Sequence, residues 1–339
     1  MPDTTQPLAT ASAPAHFLLG KSRWRPAEIV FWALALAAYF AFPRRHLLLN
    51  EIAILGLFAL SLDLILGYTG IVSLGHAAFF GAGAYAAGLF AKHVFGEPVT
   101  GLVFSIGISA ILGFLSSFLV LRGTDLTRLM VTLGVALVLY ELANRLDWIT
   151  GGSDGMLGVK IDPILGFFPF TFRGSTAYLY SLTVLFLAFL LARRVVHSPF
   201  GLSLRAVKDN RLRASSIGIA PARRIVAIYT LAAAYAGAAG ALATQTTQFV
   251  SLETLDFTHS ADALLVLVIG GAGYLYGGLL GAIVFKLLKD ALSVASPAYW
   301  LFWMGLFLVV LVLIGRERLT GGGRALLDAV VARMPGRRR

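Results

Sequence analysis

Long apolar runs, separated by short polar stretches, follow one another along most of this chain. A bilayer core about 30 Å thick needs about 20 apolar residues in a helix that rises about 1.5 Å per residue. Nine runs reach or approach that length, at residues 27–43, 47–66, 71–91, 99–121, 129–149, 177–193, 224–248, 259–288 and 298–315. Backbone polar groups in lipid have to be satisfied within the segment, so we expect these runs to be helices. They lack the strand-length alternation that is typical of a membrane β-barrel.

One of these runs, at residues 259–288, is too long for a single simple span and is interrupted by glycines. The interruptions are Gly270, Gly271 and Gly273, followed by Gly277 and Gly278. Discontinuous helices are tolerated at membrane depth where they line a cavity inside the protein. We therefore predict a glycine-broken or re-entrant element there, or two short crossings. The predicted fold is an all-α polytopic membrane protein with about eight to ten transmembrane helices.

The composition agrees with a membrane environment. The chain has 339 residues, of which 58% are apolar and only 13% are charged, and its mean hydropathy is +0.81. A soluble domain of this size has too little interior to bury so much apolar surface. This excludes intrinsic disorder, a soluble enzyme and a nucleic-acid-binding protein of ordinary composition. Cysteine is absent, which excludes disulfides, thiolate metal sites and thiol nucleophiles.

The positive charges predict the orientation in the membrane. Of 28 Lys and Arg residues, 18 lie in three stretches: 21–25, 193–224 and 316–339. Cytoplasmic flanks of membrane helices carry such excesses, so we expect both termini and the 193–224 stretch inside and the acidic loop 249–258 outside. Both termini inside require an even number of crossings. Arg44 and Arg45 then lie outside, against the rule.

These assignments divide the chain into three parts. Residues 1–26 are predicted to be a mobile cytoplasmic tail, 27–315 a transmembrane domain, and 316–339 a basic cytoplasmic tail. The cations border apolar runs, which favours the lipid bilayer as partner and gives no reason to expect a nucleic acid. The pattern predicts a multi-pass protein of the plasma membrane.

Within the transmembrane domain, residues 198–219 are too short and too charged to span. Ser198 suits a helix N-cap, Pro199 the first helical position, and Gly218 the position just past the end. The residues Leu204, Val207, Ala214 and Ile217 fall near one face, and cations cover the rest. We predict a short amphipathic helix under the membrane, either resting on anionic headgroups or docking a cytoplasmic partner. In the second case Leu204 and Val207 would be the packed anchor, and Arg205, Lys208 and Arg213 would face an acidic groove.

Three ordered motifs give the chain a resemblance to a known family. They are SPFGLSLRAVKDNRLRASSIGI at 198–219, continuing into AAAYAGAAGAL at 232–242; GYTGIVSLGHAAFFG at 67–81; and LVIGGAG at 267–273 with Gly277, Gly278 and Gly281. The chain resembles the permeases of ATP-driven importers in the branched-chain amino-acid and ribose superfamily, in particular the M-type subunit of the branched-chain amino-acid group, over residues 47–315. In one departure, Arg211, Leu212 and Arg213 stand where the family usually has acidic or small residues.

The resemblance implies a transport subunit for a bacterial inner membrane rather than an enzyme. It implies uptake of branched-chain or related amino acids, with urea, short amides or another small solute as the alternative cargo. It also implies the partners: a second homologous permease, two cytoplasmic ATP-binding subunits, and an extracytoplasmic solute-binding protein. No cofactor is expected in this chain, which lacks a phosphate-binding G-x-x-x-x-G-K-[ST] loop, so ATP would be bound by the partners. The segment 197–222 would then be a cytoplasmic coupling helix, with contacts from Pro199, Phe200, Gly201, Leu204, Arg205, Ala206, Asn210, Ala214, Gly218 and Ile219.

Two function classes compete with this one. A membrane-embedded enzyme would need convergent titratable groups within the spans, and no such motif is visible. A carrier driven by protons or sodium would not need an amphipathic cytoplasmic helix. We expect neither catalytic residues nor a metal site, because the six histidines are scattered without ligand spacing.

Candidate residues for a translocation path follow from polar or glycine positions inside the spans. They are Gly70, Ser73, His76, Glu141, Asn144, Gly270, Gly271 and Gly273, with Asp63 and Asp262 as weaker candidates. Glu141 either lines the path or forms a local ion pair with Arg145, four residues on. His76 is either a packing residue or a proton carrier. The glycines at 67–88 either allow close helix packing or break the helix beside the path. The loop that begins at residues 151–155 is either part of the dock for a solute-binding protein or a long flexible connection.

Overall fold

The structure, a computed structural model, describes residues 26–123, 125–171 and 173–314. The described residues contain thirteen α-helices and two short 3₁₀ helices, at Gly152–Asp154 and Leu252–Leu255. The helices are α1 Pro26–Ala41, α2 His46–Thr69, α3 Ala77–His93, α4 Pro98–Leu121, α5 Asp125–Arg145, α6 Asp147–Thr150, α7 Ser175–Val196, α8 Pro199–Asp209, α9 Arg211–Ser216, α10 Pro221–Thr247, α11 Phe257–Gly270, α12 Leu275–Ala295 and α13 Trp300–Ile314. The predicted terminal tails lie outside the described residues, apart from Pro26.

The predicted all-α polytopic architecture is confirmed. Among the described residues, five helices are long and apolar enough to cross a membrane: α2, α4, α5, α7 and α10. The pair α11 and α12 counts as a sixth span if its bent halves are taken together. Two shorter apolar stretches lie at Pro26–Ala41 and Trp300–Leu311. The nine apolar runs therefore all correspond to helices, although several are shorter than a full crossing.

The centre of the bundle is α10, which packs against α2, α3 and α4. Its small residues make this possible, because a Cβ atom added to Gly240 would lie 1.9 Å from the Phe80 carbonyl oxygen of α3. A Cβ on Gly83 of α3 would lie 2.3 Å from the Gly237 oxygen of α10. Helices in lipid associate through such close backbone packing rather than through hydrophobicity. At Gly83, within the 67–88 stretch, the packing interpretation is supported.

The helix start predicted near residue 71 is wrong, because residues 70–76 are irregular and α3 begins only at Ala77. Gly70 ends α2 in a left-handed conformation, with a φ of +72°. The chain then turns back along α2, since His76 hydrogen-bonds Ser61 at 2.8 Å. Ser61 lies eight residues before the end of α2, which is about 12 Å of helix. The 70–76 segment therefore runs at the depth of a spanning helix, and α3 begins part of the way along it.

The predicted break in the 259–288 run is confirmed. Helices α11 and α12 meet at an angle of 109° across residues 271–274, and Gly271 and Gly273 both have positive φ. The two helices then cross closely, because a Cβ on Gly270 would lie 1.7 Å from the Gly277 oxygen. A Cβ on Gly281 would likewise lie 2.1 Å from the Val266 oxygen. The glycines thus serve both the turn and the crossing of the two half-helices.

Candidate functional site

The predicted amphipathic segment is built by its capping residues. Ser198 caps α8 by accepting a hydrogen bond from the Gly201 amide at 3.5 Å, and Pro199 takes the first helical position. A single continuous helix to residue 217 is wrong, because Asn210 interrupts it. The Asn210 backbone is extended (φ −162°, ψ 110°), and its side chain accepts a bond from the Arg213 amide at 2.9 Å to start α9. Gly218 then ends α9 with a φ of +84°.

The apolar face of this segment is turned inward. Leu204 and Val207 are fully buried in the core of this chain, and Ala214 is buried with them. The prediction that Leu204 and Val207 form the anchor for a partner is therefore wrong. Phe200, Ala206 and Ile219 are half-buried against the same core. The predicted place of Ile217 on this face is also wrong, since that side chain is 69% exposed.

Three apolar side chains of α8, α9 and the following turn point outward instead. They are Leu202, Ile217 and Leu212, which is 83% exposed. Gly201 has a structural role at the start of α8, because a Cβ there would lie 2.1 Å from the Val196 oxygen. We call the surface formed by Leu202, Leu212 and Ile217 the outward face. Sequence reasoning missed it, because Leu212 and Leu202 fall off the main apolar stripe.

On its inner side, α8 is fastened to the end of α2. The Lys208 ammonium donates a hydrogen bond to the Gly67 carbonyl oxygen at 2.8 Å, and the Arg205 guanidinium lies 5.4 Å from the centre of the Tyr68 ring. A cation at the C-terminus of a helix satisfies a free carbonyl and opposes the negative end of the helix dipole. The contact predicted from Lys208 to an acidic partner groove is therefore replaced by a contact within the chain.

The same end of α2 holds the turn between α11 and α12. Asp63, which is fully buried, accepts a hydrogen bond from the Gly273 amide at 2.7 Å. The backbones approach so closely that a Cβ on Gly67 would lie 2.5 Å from the Gly273 nitrogen. We call this arrangement of Asp63, Gly67, Lys208 and Gly273 the α2 joint. It connects the amphipathic segment to the broken helix pair through one turn of α2.

Removing the Lys208 ammonium is expected to loosen the end of α2. In Lys208→Met, the Gly67 carbonyl loses its charged partner, and we expect hydrogen exchange at residues 64–70 to speed up roughly two- to fivefold. Exchange measured by mass spectrometry on the full chain in detergent would test this. The matched control is Lys286→Met, which removes a 2.5 Å ion pair with Glu51 near the other end of α2 and should leave residues 64–70 unchanged. Equal hydrogen exchange at residues 64–70 in both variants would contradict the capping of α2 by Lys208.

A second polar cluster holds the irregular 70–76 segment inside the bundle. Besides the bond between His76 and Ser61, the Thr132 hydroxyl accepts from the Leu74 amide at 3.3 Å, and the Ser260 hydroxyl accepts from the Ala77 amide at 2.8 Å. The His76 ring stacks on Phe58 at 5.5 Å. These contacts support the packing interpretation of His76.

The predicted path residues lie at three levels of the bundle. Gly70, Gly270, Gly271 and Gly273 are at the end where α8 lies; Ser73 and His76 are buried in the middle; Glu141 and Asn144 are exposed near the far end of α5. Arg145 donates a hydrogen bond to Glu141 at 2.7 Å, so the local ion pair is present. These residues do not converge on one cavity, and their role in translocation stays a prediction.

At the end opposite α8, the loop that begins at residue 151 makes defined contacts with other parts of the chain. Met156 pairs with Val250 in an antiparallel bridge, which joins this loop to the one that follows α10. The Thr150 hydroxyl donates to the Ala143 carbonyl at 2.5 Å. Two aromatic side chains beyond the bridge, Phe167 and Phe168, are exposed. This end therefore presents an ordered surface with apolar side chains.

Irregular and broken helices buried inside an apolar bundle, together with an amphipathic segment at one end, indicate a polytopic membrane protein and are typical of transporters. Residues 46–314 match the family described as "Branched-chain amino acid transport system / permease component". The chain belongs to this family.

Individual relatives agree with the family match. The chain is 28% identical over 287 residues to the high-affinity branched-chain amino acid transport system permease protein LivM of Salmonella typhimurium, covering 75% of this chain and 64% of the relative. It is 30% identical to the autoinducer 2 import system permease protein LsrC of Enterobacter sp. (85% and 84% covered) and 27% identical to the ribose import permease protein RbsC of Bacillus subtilis (80% and 84% covered). The chain thus spans a little under two thirds of the LivM relative. No solved structure matches it.

Proposed function

We propose that this chain is the membrane-spanning permease subunit of an ATP-driven importer and forms part of the path for branched-chain or related amino acids. The family match supports a permease, and the relatives named as branched-chain amino acid permeases support this class of cargo. ATP hydrolysis would come from two cytoplasmic subunits, and a second homologous permease would complete the path. A solute-binding protein would deliver the cargo at the end opposite α8.

The observation that carries the proposal is the two-sided build of α8 and α9. Their inner side is fixed to α2 by Lys208 and by buried leucine and valine side chains, so the segment moves with the membrane helices. Their outer side exposes Leu212 and Ile217 next to cations. A rigid element of this kind transmits force to the membrane helices from a partner that binds its outward face. The eight cations of the 193–224 stretch support a cytoplasmic location.

Placing a charge on the outward face is expected to weaken the binding of the ATP-binding subunits. Leu212→Asp puts a carboxylate where a partner would bury an apolar side chain, and the cost of about 2 kcal/mol for such a contact corresponds to roughly thirtyfold weaker association. We expect the ATP-binding subunits to be lost on co-purification and substrate-stimulated ATP hydrolysis to fall accordingly. Because Leu212 is 83% exposed, the fold should be unaffected.

The control for this experiment is Leu157→Asp, the same change at an exposed leucine at the opposite end. It should leave the ATP-binding subunits attached. Normal co-purification of Leu212→Asp would contradict docking at the outward face.

The identity of the transported solute is tested separately from the binding of the ATP-binding subunits. The assembled system in liposomes should take up labelled leucine in an ATP-dependent manner, and unlabelled isoleucine and valine should compete. Competition by urea or ribose, without competition by isoleucine, would overturn the cargo while leaving the permease class in place. Uptake by this chain alone, without ATP-binding subunits, would overturn the proposed mechanism.

A further inference from the structure

A largely apolar cavity of about 400 Å³ lies behind α1, between that helix and α2, α7 and α12. Its nineteen lining residues include Trp32, Ala38, Ile52, Gly56, Leu279 and Leu287. Helix α1 contains no buried residue, so the cavity lies directly beneath a peripheral helix. An apolar space at this position adjoins the hydrocarbon that surrounds the bundle.

Helix α1 is held to the bundle by the packing of Phe31 and Trp32 against α7 and α12 and by further contacts at intervals along its length. Near its start, Arg193 forms a partly buried ion pair with Glu28. Further along, the Tyr178 hydroxyl donates to the Ala35 carbonyl at 2.6 Å, and the Tyr39 ring stacks on His46 at 4.8 Å. Ala35 and Tyr178 also line the cavity, so their hydrogen bond forms part of its wall.

One charged side chain, Arg45, is among the lining residues. It is exposed, it lies at the start of α2, at the end of the bundle opposite α8, and it makes no ion pair with any described residue. Arg44 and Arg45 also contradict the orientation that the other cations predict.

We propose that the cavity holds an acyl chain of one anionic phospholipid and that the Arg45 guanidinium binds its phosphate. The volume is within the range of small-ligand sites, and an elongated hydrocarbon chain matches a lining that is apolar except at one end. Guanidinium groups bind phosphate through paired hydrogen bonds. An amino acid does not fit this lining, because its ammonium and carboxylate would both be buried with only one charged partner.

Native mass spectrometry of the full chain, extracted in mild detergent and supplied with phosphatidylglycerol or phosphatidylcholine, tests the site. We expect one phosphatidylglycerol to be retained per chain in preference to phosphatidylcholine, because the choline cation of the latter offsets the charge of its phosphate and weakens the attraction to a guanidinium. Arg45→Ala should reduce phosphatidylglycerol retention about tenfold and remove the preference. Lys92→Ala, which removes an exposed cation of α3 that is absent from the lining, should have no effect.

The acyl-chain half of the proposal has its own pair of variants. Ala38→Trp fills the cavity and should reduce retention of both lipids, whereas Ala37→Trp, at an exposed neighbouring position on α1, should not. Size-exclusion profiles confirm that each variant is folded. Equal retention of the two lipids by the unaltered chain, or equal effects of the two tryptophan variants, would overturn the proposal. The readout is lipid binding, so it is independent of the proposed transport function.

Discussion

Asp63→Ala is expected to uncouple solute uptake from ATP hydrolysis. The Asp63 carboxylate accepts the hydrogen bond of the Gly273 amide and fixes the turn between α11 and α12 on α2. Without it, a backbone donor in close contact with α2 loses its partner, at a cost of about 1–3 kcal/mol, and the turn can leave its position at the α2 joint. We expect uptake in the assembled system to fall at least about tenfold. The ATP-binding subunits should still co-purify and hydrolyse ATP, because the outward face is unchanged.

The conservative variant Asp63→Asn is the control for this prediction. Its amide oxygen can still accept the Gly273 hydrogen bond, so it should retain more uptake than the alanine variant. Uptake and hydrolysis falling in equal proportion in Asp63→Ala would indicate general damage instead. Unchanged uptake in Asp63→Ala would contradict a role for the α2 joint in coupling.

Gly240→Ala is expected to destabilise the bundle strongly for a change of one methyl group. The added Cβ would lie 1.9 Å from the Phe80 carbonyl oxygen, and a backbone atom cannot move aside as a flexible side chain does. Helices α3 and α10 have to separate, at a cost of about 1–3 kcal/mol for such overpacking. We expect a lower thermal unfolding midpoint for the purified chain in detergent.

Gly107→Ala is the matched control, since a Cβ at this helical glycine of α4 meets no atom within 4 Å. Alanine favours a helix over glycine by about 1 kcal/mol, so this variant should unfold at the same temperature or higher. A midpoint for Gly240→Ala that is no lower than that of Gly107→Ala would contradict the packing role.

Much of the fold was predictable because lipid imposes simple constraints on sequence. Each apolar run corresponds to a helix, since the backbone has few alternatives in hydrocarbon. The break at Gly271 and Gly273 was predictable from excess length combined with glycines. The start of α3 was not predictable, because residues 71–76 belong to the same apolar run as the helix that follows them. Its irregular course depends on Thr132 and Ser260, which are distant in sequence.

The candidate site was predictable in place but not in detail. The caps at Ser198 and Gly218 mark the amphipathic segment correctly, because capping depends on local residues. Which side faces outward depends on the helices beneath it. From the sequence alone Lys208 is expected to be a surface cation, because its contact with the end of α2 depends on the tertiary structure. Asp63 gave a usable signal, since a carboxylate within a spanning helix needs a partner, but its partner lies 210 residues away.

The irregular stretch between α2 and α3 also constrains how the protein is made. Its amide at Ala77 is satisfied by Ser260, which the ribosome adds 183 residues later. Until then this amide lacks its final partner, and an unpaired backbone donor is costly in hydrocarbon. We therefore expect the start of α3 to reach its final packing only after α11, which carries Ser260, has been inserted.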